Sequence, residues 1–200
     1  MLLKMNVVTA LTEIRIDGRG GQGNVIAAYI LAEAGFEAGR HVQAFPSFGP
    51  ERRGAPVAAY VRISDRPFKR RCQILEPNYV IIQDPSLLHL PRIVGVRPEG
   101  GTLINSPKDL EELGFAPQSR TAVIPATALA VEILGLPIPN SALLGAFLML
   151  TDLLPMDALE KALARRFEGE TLQRNLQLMA AAAKRVTPGL WKEAVHAARN

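Results

Sequence analysis

Cysteine is almost absent from the sequence, which has a single one, Cys72, among 200 residues. One cysteine excludes an internal disulfide, and it cannot hold an iron–sulfur cluster by itself because such a cluster needs about four thiolates. Any electron-carrying cluster therefore has to belong to another chain. The sequence also lacks the uncharged apolar run of roughly 18 residues that a membrane-spanning helix needs, and its first residues lack the cleavage site of a signal peptide. We expect no membrane contact and a cytoplasmic location.

Neither sign of charge dominates, since 23 Lys and Arg stand against 19 Asp and Glu, for a net charge of +4. The dense basic stripe of a nucleic-acid-binding protein is missing, so we expect no nucleic-acid partner. The strongest local concentration of charge is formed by Lys69, Arg70 and Arg71. We interpret it either as a solvated hairpin end or as a contact for a phosphate or an acidic subunit.

The patterns of familiar catalytic and metal sites are missing as well. His41, His89 and His196 are far apart, with no metal-ligand spacing and no cysteine partner, which predicts no metal site. Ser47 has no histidine next to it, and no G-x-S-x-G elbow exists, so nucleophilic hydrolysis is not supported. The sequence predicts no catalytic residue on this chain.

The sequence does contain short β-branched runs that alternate with turns and with helical patterns. We predict one domain, residues 1–200, of the α/β class: a doubly wound, open, mostly parallel sheet with helices on both faces and a helical C-terminal third. The predicted strands are residues 13–17, 41–45, 56–64, 79–84, 101–106 and 121–126. The predicted helices are residues 24–39, 127–135, 141–154, 156–167 and 171–186.

The segment GRGGQG, residues 18–23, follows the first predicted strand and precedes the first predicted helix. Its Gly18, Gly20 and Gly23 match the G-x-G-x-x-G spacing of dinucleotide-binding turns. Glycine suits such a turn because the backbone takes unusual dihedral angles there and because a ligand or a neighbouring chain has to approach closely. The unpaired N–H groups at the start of the following helix would suit an anion.

A dinucleotide site also needs an acidic residue about 20 residues further on, where it binds the ribose hydroxyls. That place, at the end of the second predicted strand, holds Ala44, Phe45 and Pro46, and the next acid is Glu51. The missing acid argues against NAD and FAD. The two arginines after Glu51 leave NADP open, since arginine suits a 2′-phosphate.

A second unusual segment, FPSFGPERRGAP, covers residues 45–56. Its three prolines restrict the backbone and its two phenylalanines favour burial, which predicts a shaped contact rather than a slack loop. The alternative is a rigid connection in which Glu51 pairs with Arg53 in solvent.

In this order and separation, GRGGQG, FPSFGPERRG and VAAYVRIS resemble the gamma subunit of pyruvate:ferredoxin oxidoreductase and its 2-oxoacid:acceptor oxidoreductase relatives. NSALLGAF, ALEKALARRF and LQRNLQ are similar to the C-terminal half of that subunit, so the resemblance covers nearly the whole chain. It implies a component of a multi-subunit enzyme of anaerobic metabolism. Such an enzyme oxidatively decarboxylates a 2-oxoacid, passes the acyl group to coenzyme A and passes electrons to ferredoxin or a similar carrier.

The resemblance also implies which components lie elsewhere in the complex. Alpha and beta subunits would hold thiamine diphosphate with its Mg between them, and beta and a ferredoxin-like delta subunit would hold the iron–sulfur clusters. This gamma-type chain would bind none of these cofactors alone and would be inactive alone, where it could form a homodimer. The sequence does not indicate which 2-oxoacid is the substrate.

For this chain the resemblance implies a place beside the active site, where it shapes the approach of coenzyme A. We predict that N–H groups and arginines meet phosphate, while phenylalanines pack against the pantetheine arm or a partner subunit. A purely interfacial role stays open, as does a stand-alone nucleotide-binding regulatory module. Asp84, which ends the third apolar run, and Thr127, as a helix cap, are minor candidates. The candidate binding residues are Gly18, Arg19, Gly20, Gly21, Gln22, Gly23, Phe45, Ser47, Phe48, Arg52 and Arg53.

Overall fold

A six-stranded sheet forms the centre of the computed structural model, which describes residues 11–47, 54–90, 95–116 and 119–192. The strands are β1 (Thr12–Arg19), β2 (His41–Pro46), β3 (Pro56–Ser64), β4 (Tyr79–Ile82), β5 (Gly101–Asn105) and β6 (Arg120–Ile124). They lie in the order β2-β3-β1-β4-β5-β6, and β3 alone among them runs against the others. The predicted open, mostly parallel sheet of an α/β fold is confirmed.

The α-helices of the described chain pack on one face of this sheet. They are α1 (Asn24–Glu37), α2 (Ala126–Leu134), α3 (Asn140–Thr151), α4 (Met156–Ala164) and α5 (Gly169–Ala183). All of them contribute to one large apolar cluster, which they share with Ile14, Ile16, Tyr79 and Leu103 of the strands. The helical C-terminal part that the sequence predicts is therefore confirmed.

The opposite face of the sheet has a smaller apolar cluster around Val80, Ile82 and Ile104. A short 3₁₀ helix, Pro85–Leu87, and turn segments cover it in the described residues. The helical cover predicted for both faces is thus much shorter on this one. The connections after β4 and β5 contain several prolines and glycines, which oppose the formation of long helices.

Strand β3 takes the position that a dinucleotide-binding fold gives to the second strand. In that fold, the strand after the first helix lies beside the first strand and parallel to it. Here β3 pairs with β1 in antiparallel register, and β2 pairs with β3 at the outer edge. The end of β2 therefore lies two strand spacings, roughly 10 Å, from β1. An acid placed there would be far from the glycine turn, which adds a topological argument against NAD.

Strands β1 and β3 carry buried charges on the face turned away from α1. Glu13 and Arg62 form an ion pair with Nε 2.9 Å from Oε1, and the Arg62 side chain is wholly buried. Arg62 also donates to the backbone oxygens of Arg70 and Cys72, at 3.3 and 2.5 Å. A buried charge is tolerated when hydrogen bonds satisfy it in this way. The pair holds the segment after β3 against the sheet.

Helix α3 is buried on nearly all sides because its residues are almost entirely apolar. Its Phe147 is fully buried and meets Tyr79 edge to face, with ring centroids 5.4 Å apart. Such pairs contribute beyond the burial of their apolar area. This contact joins the C-terminal helices to the centre of the sheet.

We expect Phe147→Ala to lower the free energy of unfolding by about 3–5 kcal/mol, because it removes buried apolar surface and leaves a cavity. Urea unfolding followed by circular dichroism measures this change. Val131→Ala, at a half-exposed position on α2, is the control and should stay within about 0.5 kcal/mol of the native chain. Equal effects of the two substitutions would contradict the packing described for Phe147.

Candidate functional site

The candidate site lies where β1 and β4 end side by side. The two strands are parallel neighbours, with Asp17 opposite Ile82. Beyond β1 the chain continues into α1 on one face, and beyond β4 it enters the 3₁₀ helix on the other face. Neighbouring parallel strands whose connections leave on opposite faces create a crevice, which is the usual ligand position in open α/β sheets.

The glycine turn, residues 18–23, connects β1 to α1 at this crevice. Gly21 and Gly23 have φ angles of 96° and 79°, in the left-handed region that glycine adopts without strain. Gly23 is the residue before α1, and no side chain caps the helix there. The first N–H groups of a helix have no partner within it. Those of α1 lie at the turn, and the residue before the helix has no side chain to accept a hydrogen bond from them.

The glycines of the turn have two different surroundings. A Cβ on Gly18 would collide with the Asn24 side chain, and a Cβ on Gly23 would lie 2.7 Å from Nδ2 of Asn140. A Cβ on Gly21 would have no atom within 4 Å. Gly18 and Gly23 thus allow close packing inside the protein, whereas Gly21 presents bare backbone to open space.

Side chains from the end of β4 hold the turn in place. Asp84 Oδ2 accepts hydrogen bonds from Arg19 Nε at 3.1 Å and from Gln22 Nε2 at 3.0 Å. Arg19 also donates to Ser86 Oγ and to the backbone oxygen of Gly54, and its own N–H donates to Oε1 of Gln22 at 2.7 Å. Arg19 and Gln22 therefore support the turn, and Asp84 is confirmed as lying at this crevice.

The charge of Asp84 depends on these contacts. Partial burial raises the pKa of its carboxyl, but hydrogen bonds from Ser86 and Gln22 and the charge of Arg19 outweigh that effect and keep the pKa below its ordinary value of 3.8. The group is therefore a carboxylate at neutral pH. Its negative charge is matched locally by Arg19.

Buried amide side chains lie beneath the turn, and our sequence reasoning missed them. Asn140 Nδ2 donates to the Gly23 oxygen at 3.3 Å, and Gln83 Nε2 donates to Asn140 Oδ1 at 3.0 Å. Asn105 Nδ2 continues the chain of contacts by donating to the backbone oxygen of Gln83 at 2.8 Å. Gln83 directly follows β4, and Asn105 ends β5. Polar residues at the carboxyl ends of buried strands were the signal that could have revealed them.

Thr127 belongs to this amide network and is not a helix cap. Helix α2 begins at Ala126, so Thr127 lies in its first turn. Asn105 Oδ1 accepts the Thr127 N–H at 3.0 Å, and Asn105 Nδ2 donates to the Thr127 hydroxyl at 2.8 Å. The prediction was wrong because a side chain from a distant strand performs the capping.

The second predicted segment lies only partly within the described residues. Phe45 stacks on Tyr60 with ring centroids 5.2 Å apart, and the Arg62 guanidinium lies 5.3 Å from its centre. The Ser47 N–H donates to the Ala58 oxygen at 2.8 Å. Both residues share the carboxyl edge of the sheet with the glycine turn, but β3 lies between them and β1. Phe48, Arg52 and Arg53 lie outside the described residues.

An apolar groove of about 690 Å³ begins beside the glycine turn. Asn140, which contacts Gly23, is among its lining residues. Its charged rim residues pair with acids, Arg166 with Glu33 and Arg174 with Glu170. The apolar side chains that line it are Ile26, Leu134, Leu136, Ile138 and Phe167. Exposed apolar surface with a charge-neutral rim suits a polypeptide partner.

The described part of the chain has neither a cluster of metal ligands nor a helix that could cross a membrane. Across residues 11–47, 54–90, 95–116 and 119–192, no three side chains of His, Cys, Asp or Glu come together as metal ligands. The helices within the same ranges are too short or too polar to span a membrane.

Comparison with known proteins identifies the family of the chain. Residues 13–185 match the pyruvate ferredoxin/flavodoxin oxidoreductase family. The chain belongs to this family. It is 46% identical over 166 residues to pyruvate synthase subunit PorC of Methanocaldococcus jannaschii, covering 82% of this chain and 91% of that one. It is also 46% identical over 170 residues to the common subunit gamma of the pyruvate/ketoisovalerate oxidoreductases of Pyrococcus furiosus, with the same shares covered.

A solved structure supports the same assignment for this family member. The pyruvate oxidoreductase subunit PORC from Thermotoga maritima superimposes with a TM-score of 0.79 at 36% identity, covering 88% of this chain and 97% of that one. The resemblance to a gamma subunit of a 2-oxoacid:ferredoxin oxidoreductase is therefore confirmed. A stand-alone nucleotide-binding module is not favoured.

We expect Gly23→Ala to destabilise the chain more than Gly39→Ala does. Both glycines have positive φ angles, so each substitution should cost about 1–2 kcal/mol of backbone strain. Only at position 23 would the new methyl group also meet Asn140, and such overpacking costs about 1–3 kcal/mol more. Thermal and urea unfolding measure the difference, which should shrink in an Asn140→Ala background. Equal costs at the two positions would show that the contact with Asn140 is unimportant.

Asp84→Asn should weaken the dependence of stability on acid pH. The folded-state pKa of Asp84 is lowered, so the carboxylate stabilises the fold above the unfolded pKa, and this contribution is lost as the pH falls through the folded pKa. Urea unfolding between roughly pH 5 and pH 2 should therefore show a smaller loss of stability in the variant. Glu132→Gln, at an exposed acid on α2, is the control and should behave like the native chain. An unchanged slope in Asp84→Asn would contradict this role.

Proposed function

We propose that this chain is the gamma subunit of a 2-oxoacid:ferredoxin oxidoreductase, in which its glycine turn receives a phosphate group of coenzyme A. Family membership supports the first part of the proposal. The observation that carries the second is the open backbone at Gly21, directly before the uncapped start of α1. The complex would act in the cytoplasm.

The turn has the chemical properties that a phosphate requires. Backbone N–H groups at a helix start, together with the partial positive charge of the helix dipole, stabilise an anion. Helix α1 has no acidic residue in its first turn that would compete for these groups. No side chain at Gly21 blocks the approach. The residues present therefore fit a phosphate bound through the backbone.

The side chains around the turn would have different roles in binding coenzyme A. The Arg19 guanidinium donates hydrogen bonds to Asp84 and Ser86. Because its donors are used in this way, Arg19 would hold the shape of the turn and would not be the main contact for the phosphate. Arg52 and Arg53 remain predicted phosphate contacts, and Phe48 a predicted contact for the pantetheine arm or a partner. The Phe45 ring packs on Tyr60 and would stabilise the carboxyl edge of the sheet there.

The chemistry itself would take place on the partner subunits. When bound, coenzyme A supplies the thiol that accepts the acyl group. Thiamine diphosphate with Mg and the iron–sulfur clusters would be held by alpha, beta and delta subunits, and ferredoxin would collect the electrons. This chain would hold the phosphate end of coenzyme A, orient it and remain inactive alone.

The purely interfacial role of the glycine turn is the second candidate. The apolar groove beside the turn favours the interfacial role, because Asn140 both lines the groove and donates to the Gly23 oxygen. A partner subunit seated in the groove would lie close to the glycine turn. The two candidates predict different effects of a methyl group at this position.

We expect Gly21→Ala in the assembled complex to raise the KM for coenzyme A about tenfold, which corresponds to about 1.4 kcal/mol. The new methyl group would occupy the space through which the phosphate approaches. Gly39→Ala introduces a residue at a similar φ with equally open surroundings and is the matched control. Its KM for coenzyme A should match that of the native complex, as should the KM for the 2-oxoacid in both variants.

Native mass spectrometry of the same preparations separates the candidates. A normal subunit composition with a raised KM for coenzyme A supports phosphate binding at the turn. Loss of this subunit from the Gly21→Ala complex supports the interfacial role instead. A complex without thiamine diphosphate and iron–sulfur chains would contradict the proposed function as a whole. A panel of 2-oxoacids with a viologen acceptor would then identify the substrate.

A further inference from the structure

Strand β2 forms one edge of the six-stranded sheet. Among the described strands it pairs with β3 alone. The Ser47 N–H donates to the Ala58 oxygen, one step beyond the pair Pro46 and Ala59. Because hydrogen-bonded pairs alternate along an antiparallel ladder, the N–H and C=O groups of Val42 and Ala44 point outward. Pro46, which has no N–H, occupies the next outward position, where its missing donor costs nothing.

A groove lies along this edge on each face of the sheet. On the α1 face, a groove of about 250 Å³ is bounded by Tyr29, Phe36 and Ala44. Phe36 is 66% exposed, although its ring is apolar. The charges beside it are already paired, Glu33 with Arg166 and Glu37 with Arg165. This groove therefore suits apolar side chains.

The groove on the other face, of about 530 Å³, is strongly basic. Its lining includes Lys69, Arg70 and Arg71, all exposed, and no acidic residue is among the described residues that line it. Arg70 also reaches to 3.9 Å from Oε1 of the buried Glu13, which is already paired with Arg62. Arg62 binds the backbone oxygens of residues 70 and 72, so the basic segment is held beside β2. This groove suits carboxylates.

We propose that β2 binds an extended segment of another subunit of the complex, in which acidic and apolar side chains alternate. Side chains of a strand point alternately to the two faces of a sheet. A strand added to β2 would therefore place every second residue over Tyr29 and Phe36 and the others over the basic groove. Its backbone would pair with the outward groups of Val42 and Ala44, as in other cases of strand addition. The choice of partner rests on the proposed function.

Charge argues against a second copy of this chain at the same edge. Antiparallel pairing of two β2 strands about a twofold axis keeps the same face of both sheets on the same side. The two basic grooves would then lie close together, with Lys69, Arg70 and Arg71 of both copies repelling one another. An acidic segment would instead neutralise these charges.

The test uses the full chain and a capped synthetic peptide of sequence EVEVEVE as the probe. We expect the peptide to slow amide hydrogen exchange at Val42 and Ala44 at least tenfold, as measured by NMR. The capped peptide KVKVKVK is the matched probe of opposite charge and should bind at least tenfold more weakly. Equal binding of the two peptides, or no protection at Val42 and Ala44, would overturn the proposal.

Two variants test the backbone and the charges separately. Ala44→Pro removes an outward N–H and keeps the ladder to β3, and it should weaken EVEVEVE binding at least tenfold without changing the circular dichroism spectrum. Replacement of Lys69, Arg70 and Arg71 by Glu should have a similar effect on binding. The control with the same change in net charge replaces Lys108, Lys184 and Arg185, which are exposed elsewhere, and should bind like the native chain. Native affinity in Ala44→Pro, or in the charge variant, would contradict strand addition at this groove.

Self-association is scored in the same experiments. Protection of Val42 and Ala44 that rises with protein concentration, without peptide, would assign the edge to a second copy and overturn the proposal. None of these measurements depends on turnover or on coenzyme A. A failure of strand addition therefore leaves the proposed function intact, and a failure of the coenzyme A site does not affect peptide binding.

Discussion

The close approach of Asn140 to Gly23 is the contact on which the candidate site depends. Helix α1 begins just after β1, where the first residue of α3 lies against the turn, and a Cβ at position 23 would come within 2.7 Å of Asn140 Nδ2. Asn140 then links the Gly23 oxygen to Gln83, and so to the end of β4. The C-terminal helices, remote in sequence, thereby fix the geometry of the N-terminal turn. The shape of this turn is consequently a property of the packed protein and not of the six residues alone.

The position of β3 explains why a dinucleotide-type glycine motif occurs without the rest of a dinucleotide site. Glycine is required at Gly18 and Gly23 by the approach of Asn24 and Asn140, which is a packing requirement. The ribose-binding acid has no suitable place, because β3 separates the end of β2 from the turn. What the turn retains from such sites is an uncapped helix start and bare backbone at Gly21. These features suit a phosphate without specifying an adenosine ribose.

Buried charge has a structural purpose on the other face of β1 and β3. The pair of Glu13 and Arg62 satisfies its own charges and also secures the segment that contains Arg70 and Cys72. The segment that carries Lys69, Arg70 and Arg71 is thus held beside the edge strand β2, with these three side chains exposed. Two candidate surfaces with different chemistry result: the glycine turn at the carboxyl ends of β1 and β4, and the edge strand β2. Both are consistent with a chain that works among partner subunits.

The sequence by itself determined the α/β class, most of the strands and helices, the family and the glycine turn. Each of these depends on hydrophobic periodicity, turn residues or motifs formed by residues that are close together in the chain. The single domain of residues 1–200 and the binding roles of all the candidate residues, Phe48, Arg52 and Arg53 among them, remain predictions. Only the tertiary structure decided that β3 lies between β1 and β2, that Arg19 pairs with Asp84, and that Asn105, not Thr127, caps α2. Strand order and side-chain pairing depend on contacts between residues far apart in the chain, which no local pattern records.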